Sequence, residues 1–504
     1  MDASPDKLAP TKAKATGKPI WPRIPADFVR AMLAGHSALG LAFAALIYLV
    51  CFSGSVAVFT QEFARWEQPA GPVLHAASPQ AVNAAVQAAV AKNPKAHDLL
   101  VRLPEPDHPR LTVQSEDVSG RERTYVADQA GRLVGEARTP WTEFQAELHT
   151  VLHLPSTWGR FVVGLTGVAL LSSLVSGVLS HPRVFKDAFA FRWGGSKRLQ
   201  EADLHNRISV WGLPFHLVVS LTGAFLGLTT IIVGVLALAT FKGDTTKAYA
   251  LFSGPVVRDD PRPAKVMDVA AALTAVTARH PDARPTYLYV QHPGERGQHV
   301  NVNLVTENRL SRGETIVVDG GGKILGAVGY EGDSLGFRVL SAMTPLHFGW
   351  FGGWPVKVAY FLLGLGLTAV TASGVAIWLA RRRDKGRPAP RWERLWVAFA
   401  WSQPLAYAFS ALVGLLSPTP APVAAWGLAT LAACASAVVG TPAGISKALR
   451  RITAGLLALI ALAHGALQAR AMVDAIGWGV DAALLAIALL LTLTTLPRGS
   501  RPVR

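Results

Sequence analysis

The strongest constraint on this chain is where its apolar residues fall. Ala31–Phe59, Val162–Leu179, Ile208–Ala239 and Val358–Leu379 are long apolar blocks without a formal charge. A bilayer core about 30 Å thick needs about 20 such residues in helical form. With 50 % of 504 residues apolar and 16 % charged, these blocks exclude a soluble single-domain fold. Leu395–Leu416, Val423–Val439, Ile452–Leu467 and Ile476–Leu496 continue the alternation, so the sequence predicts a mainly α, polytopic bundle of about eight transmembrane helices.

The excess of 49 Lys+Arg over 33 Asp+Glu is segregated and gives no sign of nucleic-acid binding. Cations precede the first block (Lys7 to Arg30), follow the second (Arg183 to Arg207) and follow the fourth (Arg381 to Arg394). The long segments between blocks are nearly balanced, so the positive-inside rule places both termini in the cytoplasm. The expected layout is a basic segment 1–30, a first span 31–60, an external domain 61–148 and a second span 149–180. A cytoplasmic loop 181–207, a third span 208–240, a second external domain 241–344 and a fourth span 345–380 follow. A loop 381–394, four further helices within 395–496 and a cytoplasmic tail 497–504 complete it. The first block is too long for a signal peptide and lacks a clear cleavage site, so it reads as a retained anchor.

The external segments repeat. Thr124-Tyr-Val-Ala-Asp128-Gln-Ala-Gly131-Arg-Leu-Val-Gly135 matches Thr315-Ile-Val-Val-Asp319-Gly-Gly-Gly322-Lys-Ile-Leu-Gly326 in register. Strand residues around D-x-x-G predict a β-hairpin, and each hairpin follows a helical pattern, Gln80–Lys92 or Ala264–Arg279. The spans repeat too: His36 precedes Gly54 by the same interval as His216 precedes Gly234, about five helical turns. Spans two and four begin with Leu-His, at Leu148-His149 or Leu152-His153 and at Leu346-His347. The sequence therefore reads as an internal duplication carrying two small external α+β domains.

This layout, with His36-x3-Gly40, Leu148-His149, Asp203-Leu204-His205, Leu346-His347-Phe-Gly349 and the D-x-x-G-[RK] hairpins, resembles the PepSY-associated transmembrane proteins over about residues 28–385. The resemblance implies a bacterial inner-membrane protein with periplasmic PepSY-like domains, similar to haem-containing reductases that release iron from imported ferric siderophores. The last four spans lie outside that pattern.

Eight of the 14 histidines lie in or beside predicted spans: His36, His149, His153, His181, His205, His216, His347 and His464. An imidazole in hydrocarbon must find a partner inside the bundle, and two on facing helices can saturate a haem iron. His36 and His216 are expected at the cytoplasmic level, and His347 with His149 or His153 at the outer level. His205 serves the inner haem or caps span three; His181 meets helix-terminal carbonyls, and lone His464 is a satisfied polar residue. Arg160, Arg207, Arg338 and Lys357 stand near the expected haem ends, as propionate partners or as interfacial anchors. Trp158, Trp350 and Trp354 read as aromatic-belt residues. Cys51 and Cys434, the only cysteines, exclude covalent haem c and cysteine-ligated metal. No nucleotide loop is present, so no flavin or nicotinamide site is visible.

Two readings follow. The first is a haem b oxidoreductase with two haems, taking electrons from a cytoplasmic or quinol donor to a periplasmic acceptor, ferric siderophore iron. The second is a haem-free sensor or scaffold whose external domains bind a peptide, protease or transporter. A transporter is a weaker third, because only Asp474 and Asp481 offer an acidic relay.

Overall fold

The computed structural model describes residues 25–181, 197–253, 255, 257–306, 310, 313–329, 335–417, 421–472 and 475–497. The basic segment before Pro25, the first part of the expected cytoplasmic loop, Asp474 and the C-terminal tail lie outside the described residues.

The apolar blocks form helices, but not straight ones. α1 (Ala26–Ala42) and α2 (Ala44–Ala57) meet at Phe43 with a 69° bend. α7 (Lys197–Trp211) and α8 (Leu213–Gly227) meet at Gly212 with the same 69°, helped by Pro214 in the first turn of α8. The expected third span is interrupted again at Leu228, where α9 (Thr229–Phe241) begins, followed by α10 (Thr245–Ser253).

The Leu-His pairs differ from expectation. Leu148-His149 and Leu346-His347 close short helices rather than open spans, and Leu152-His153 lies in the turn that follows the first of them. His149 is near the end of α5 (Pro140–Thr150), and Pro155 stands before the second span, α6 (Ser156–Leu179). His347 is near the end of α12 (Leu335–Phe348), separated from α13 (Gly353–Asp384) by a turn in which Gly349 and Gly352 have φ of +69° and +74°. Such backbone favours glycine and cannot continue a helix.

By length and composition four helices suit a membrane crossing: α6, α13, α14 (Pro390–Leu416) and α17 (Ala475–Leu493), and six do if each bent pair is one span. α15 (Pro422–Ala435) rises only about 21 Å, short of a bilayer core. α16 (Pro442–Gln468) is long enough but carries Lys447, Arg450 and Arg451 in its first half.

The two external segments do not fold as separate small domains. Their strands make one eight-stranded antiparallel sheet of order β4-β3-β2-β1-β5-β6-β7-β8. β1 (Ala96–Arg102) pairs with β5 (Ala283–Gln291), Leu99 opposite Val290 and Val101 opposite Leu288. β2 (Leu111–Asp117), β3 (Glu122–Ala127) and β4 (Leu133–Glu136) extend one side, and β6 (His299–Thr306), β7 (Gly313–Asp319) and β8 (Ile324–Val328) the other. Two helices cover one face, α4 (Pro79–Lys92), capped by Ser78, and α11 (Val269–Arg279), capped by Asp268. Val82, Val86, Leu273 and Val276 share a single core with Leu99, Val101, Leu288 and Val290. Joining the edges pairs what would otherwise be an open strand edge on each unit.

The matched hairpins form as expected. Asp128 Oδ1 accepts from the amides of Ala130 and Arg132, with Gly131 at φ +80°; Asp319 Oδ1 accepts from Gly321 and Lys323, with Gly322 at φ +86°. Asp117-Val-Ser-Gly120 makes a third turn of this kind between β2 and β3.

Candidate functional site

Four histidines occupy two levels of the bundle through one repeated arrangement. On α1 the Nδ1 of His36 donates to the Ser173 carbonyl of α6 at 2.8 Å. On α7 the Nδ1 of His205 lies 3.0 Å from the Ser373 hydroxyl of α13. Each ring rests on a glycine of the same partner helix: a Cβ at Gly177 would stand 3.2 Å from His36 Cε1, and one at Gly374 would stand 3.4 Å from His205 Cε1.

The other two meet α2 and α8 at a second level. His149 Nδ1 lies 3.1 Å from the Val50 carbonyl and 3.3 Å from the Ser53 hydroxyl. His347 Nδ1 lies 3.0 Å from the Thr222 hydroxyl. A Cβ on Gly54 would stand 2.6 Å from His149 Cε1, and one on Gly223 2.9 Å from His347 Cε1, so neither position has room for alanine. The two rings are near-parallel, 6.1 Å apart between centroids.

The hydroxyls define the tautomers. Ser373 Oγ donates its hydrogen to the Val370 carbonyl at 3.0 Å and Thr222 Oγ1 to the Val218 carbonyl at 2.6 Å. With those hydrogens spent, Nδ1–H of His205 and His347 must be the donor. His36 and His149 donate to carbonyls directly. All four rings thus keep the Nε2 lone pair for another partner, the tautomer that an Nε2 metal ligand needs.

The register of the arrangement is regular. A single sequence offset relates His36 to His205, Phe43 to Gly212, Ser53 to Thr222 and Gly54 to Gly223. The interval from His36 to Gly54 accordingly equals that from His205 to Gly223. The structure therefore sets His205, not His216, beside His36.

His36 and His205 line one pocket with Gly40, Gly177, Gly374, His181 and Arg381, a cavity of about 360 Å³. This is many times the share of one water molecule, about 30 Å³, and marks a ligand-sized space rather than a packing flaw. Its walls are mostly apolar, with imidazoles and one guanidinium lining it, which suits a flat apolar macrocycle bearing carboxylates.

The remaining candidates are placed otherwise. His216 is fully buried on α8 beside Phe215 and does not line the pocket, whereas Ile47, at the matching position in the first half, does. His153 is occupied at both nitrogens, Nε2 by the Phe144 carbonyl at 3.0 Å and Nδ1 by Glu147 at 3.0 Å, and stacks on Phe144. His464 is likewise occupied, by Asp481 at 2.8 Å and the Trp66 carbonyl at 2.8 Å. Lys357 is buried against Glu62 at 2.7 Å and Asp107 at 3.1 Å, which ties α13 to α3 (Thr60–Glu67) and the β1–β2 loop. Arg160 and Arg338 are exposed, and Trp158, Trp350 and Trp354 are half to two-thirds exposed as belt residues are.

Sequence reasoning missed the residues that hold the rings. Glu67 accepts from the amides of Trp141 and Thr142 at 2.8 and 2.9 Å, capping the helix that carries His149. Ser373 and Thr222 each stand directly before a glycine, Gly374 and Gly223, and that hydroxyl-glycine step was the available signal.

The PepSY-associated TM region family matches residues 33–381, from the first bent helix to the end of α13. An uncharacterized protein of Pseudomonas aeruginosa is 30 % identical over 237 residues, 44 % of this chain and 60 % of that protein. The aligned region thus spans less than two thirds of the relative's length. With the family matching most of the chain and the structure supplying several helices long and apolar enough to cross a membrane, this protein is a multi-pass member of the PepSY-associated transmembrane family.

Proposed function

We propose that this chain is a haem b oxidoreductase of the bacterial inner membrane, carrying electrons outward to ferric iron held by a periplasmic chelator. The observation that carries the reading is the four-histidine arrangement: at each of two levels a pair of imidazoles has Nδ1 engaged and Nε2 uncommitted. His36 and His205 would hold an inner haem, His149 and His347 an outer one. Bound there, haem supplies one-electron carriage between the two faces. The chain's own part is to fix the rings through Ser173, Ser373, Val50 and Thr222, to leave space at glycines, and to present Arg381 to carboxylates in the inner pocket. One electron converts Fe(III) to Fe(II), which hard oxygen donors hold less tightly. The electron comes from a quinol or a cytoplasmic protein.

The same reading includes an internal duplication, supported by the constant offset between the two histidine-bearing halves and by the matching 69° bends. It also includes both termini inside and eight crossings, the short α15 crossing only where the bilayer thins around it. Arg381, Arg382 and Arg383 end α13, the side that the positive-inside rule assigns to the cytoplasm. Arg450, early in α16, bonds Thr494 beyond α17, whereas His464, late in α16, bonds Trp66 near the sheet, so α16 runs between the two faces.

The visible spectrum of the purified protein tests the function. Two haem b per chain, reduced by dithionite and reoxidised by a ferric siderophore, are expected. Protein purified from haem-replete cells with no Soret band would instead support the haem-free sensor or scaffold.

A further inference from the structure

Away from the bundle, the seam where β1 meets β5 carries a different set of ligating groups. Asp259, His292 and Glu295 each offer one ligand atom, and these atoms lie within 4.8 Å of one another, the one such group among the described residues. His292 and Glu295 come from the loop after β5, with His292 Nδ1 3.6 Å from Glu295 Oε2. His97, the second residue of β1, packs its ring edge-on against His292 at 4.3 Å between centroids, and its carbonyl accepts the His292 amide at 2.9 Å. Both halves of the sheet therefore meet at this point.

The loop is held by its own backbone geometry and by buried polar contacts. His292 has φ +51° and Gly294 φ +88°, a turn that brings His292 and Glu295 to one side. Gln298, almost fully buried, accepts from the amides of Gly294 at 3.2 Å and Met267 at 2.9 Å. The amides of Gly297 and Arg296 reach the carbonyls of Asp260 and Arg262 at 3.0 and 2.8 Å, which fixes the segment bearing Asp259 against the loop. Asp260 is paired with Arg262. Asp259, its neighbour, is left exposed on the side of His292 and Glu295.

We propose that Asp259, His292 and Glu295 form a binding site for a divalent transition-metal cation of the zinc or ferrous class, with His97 setting the plane of the His292 ring. One neutral imidazole and two carboxylates suit a borderline cation better than magnesium or calcium, which favour all-oxygen sets. Three ligands leave positions open for water, as in an exchanging site rather than a closed structural one. The cation is of the class that the proposed reaction would release, but binding here does not depend on haem.

Equilibrium dialysis of the full-length protein in detergent against Zn(II), and anaerobically against Fe(II), with bound metal and haem each quantified, tests the site. One equivalent is expected in the wild type, with affinity reduced roughly tenfold or more in Glu295→Gln and in His292→Asn. Asparagine tolerates the positive φ of His292, so that variant keeps the loop fold. Haem content should be equal in all three proteins, which separates this result from the fate of the haem reading. Equal metal binding by wild type and both variants would overturn the site, and so would Mg(II) competing as well as Zn(II).

Discussion

The first half of the core, α1 to α6, and the second, α7 to α13, hold their histidines in the same way with different atoms. In the first half the imidazoles meet the carbonyls of Ser173 and Val50, and His149 also the Ser53 hydroxyl; in the second they meet the hydroxyls of Ser373 and Thr222, with the carbonyls of Val370 and Val219 beside them. The glycines under the rings are present in both. Around this shared arrangement the halves diverge. The first sends α3 against the C-terminal helices, where Trp66 donates to Asp481 at 2.9 Å, whereas the second inserts α9 and α10. What is kept in both halves is an acceptor for Nδ1 and an open face for the ring, so the demand lies on the second nitrogen.

The largest expected effect breaks the tie between the halves. Lys357 on α13 is buried against Glu62 of α3. Lys357→Ala leaves that carboxylate unpaired and should cost about 3–5 kcal/mol, read as a fall in melting temperature in detergent. A variant as stable as the wild type would show that the pair adds nothing to holding the halves together.

Next comes the ring bed. Gly54→Ala and Gly223→Ala place a methyl 2.6 and 2.9 Å from the His149 and His347 rings. Each should destabilise by about 1–3 kcal/mol, Gly54→Ala the more. Gly234→Ala meets open space and should be silent in the same thermal assay.

The carbonyl and hydroxyl versions of the arrangement separate in a third pair. Ser373→Ala removes the hydroxyl that His205 meets, leaving it the Val370 carbonyl, and should cost up to about 1 kcal/mol. Ser173→Ala leaves the carbonyl that His36 uses and should cost almost nothing, since the Ser173 hydroxyl is itself buried without a partner. Equal losses in the two variants would remove the distinction between the halves.

The smallest effect at neutral pH concerns the loop that only the first half presses onto α3. His108 Nδ1 meets Gln61 at 3.0 Å; burial, then Arg102 and Arg110, push its pKa down from 6.5 to about 3. Between those values the unfolded chain binds a proton that the folded chain refuses, so stability falls as pH drops. From about pH 7.5 to about 5.5 the loss is about 1 kcal/mol, and His108→Gln should flatten that part of the thermal profile.

Much of this was legible in the sequence. The apolar blocks and the two D-x-x-G hairpins each rest on local rules of burial and turn geometry, and each maps onto an element, whereas the Leu-His pairs precede the spans they were expected to open. The pairing of histidines was not, because span three satisfies the same His-to-Gly interval twice, as His205/Gly223 and as His216/Gly234. Only the bend at Gly212, matching Phe43, selects the first. The β1–β5 seam was hidden for another reason: its strands come from the two different external segments, with two membrane spans between them and no turn residue to announce the pairing. The Trp66–His464–Asp481 contact likewise depends on which face of the extension meets α3.

The central claim is that His205, not His216, completes the inner pair with His36. Haem per chain, measured side by side in His205→Ala and His216→Ala purified at equal yield, tests it most directly. The account predicts that His205→Ala loses about half of its haem with the outer signal retained, while His216→Ala keeps the wild-type content and spectrum. Full haem in His205→Ala together with loss in His216→Ala would contradict it.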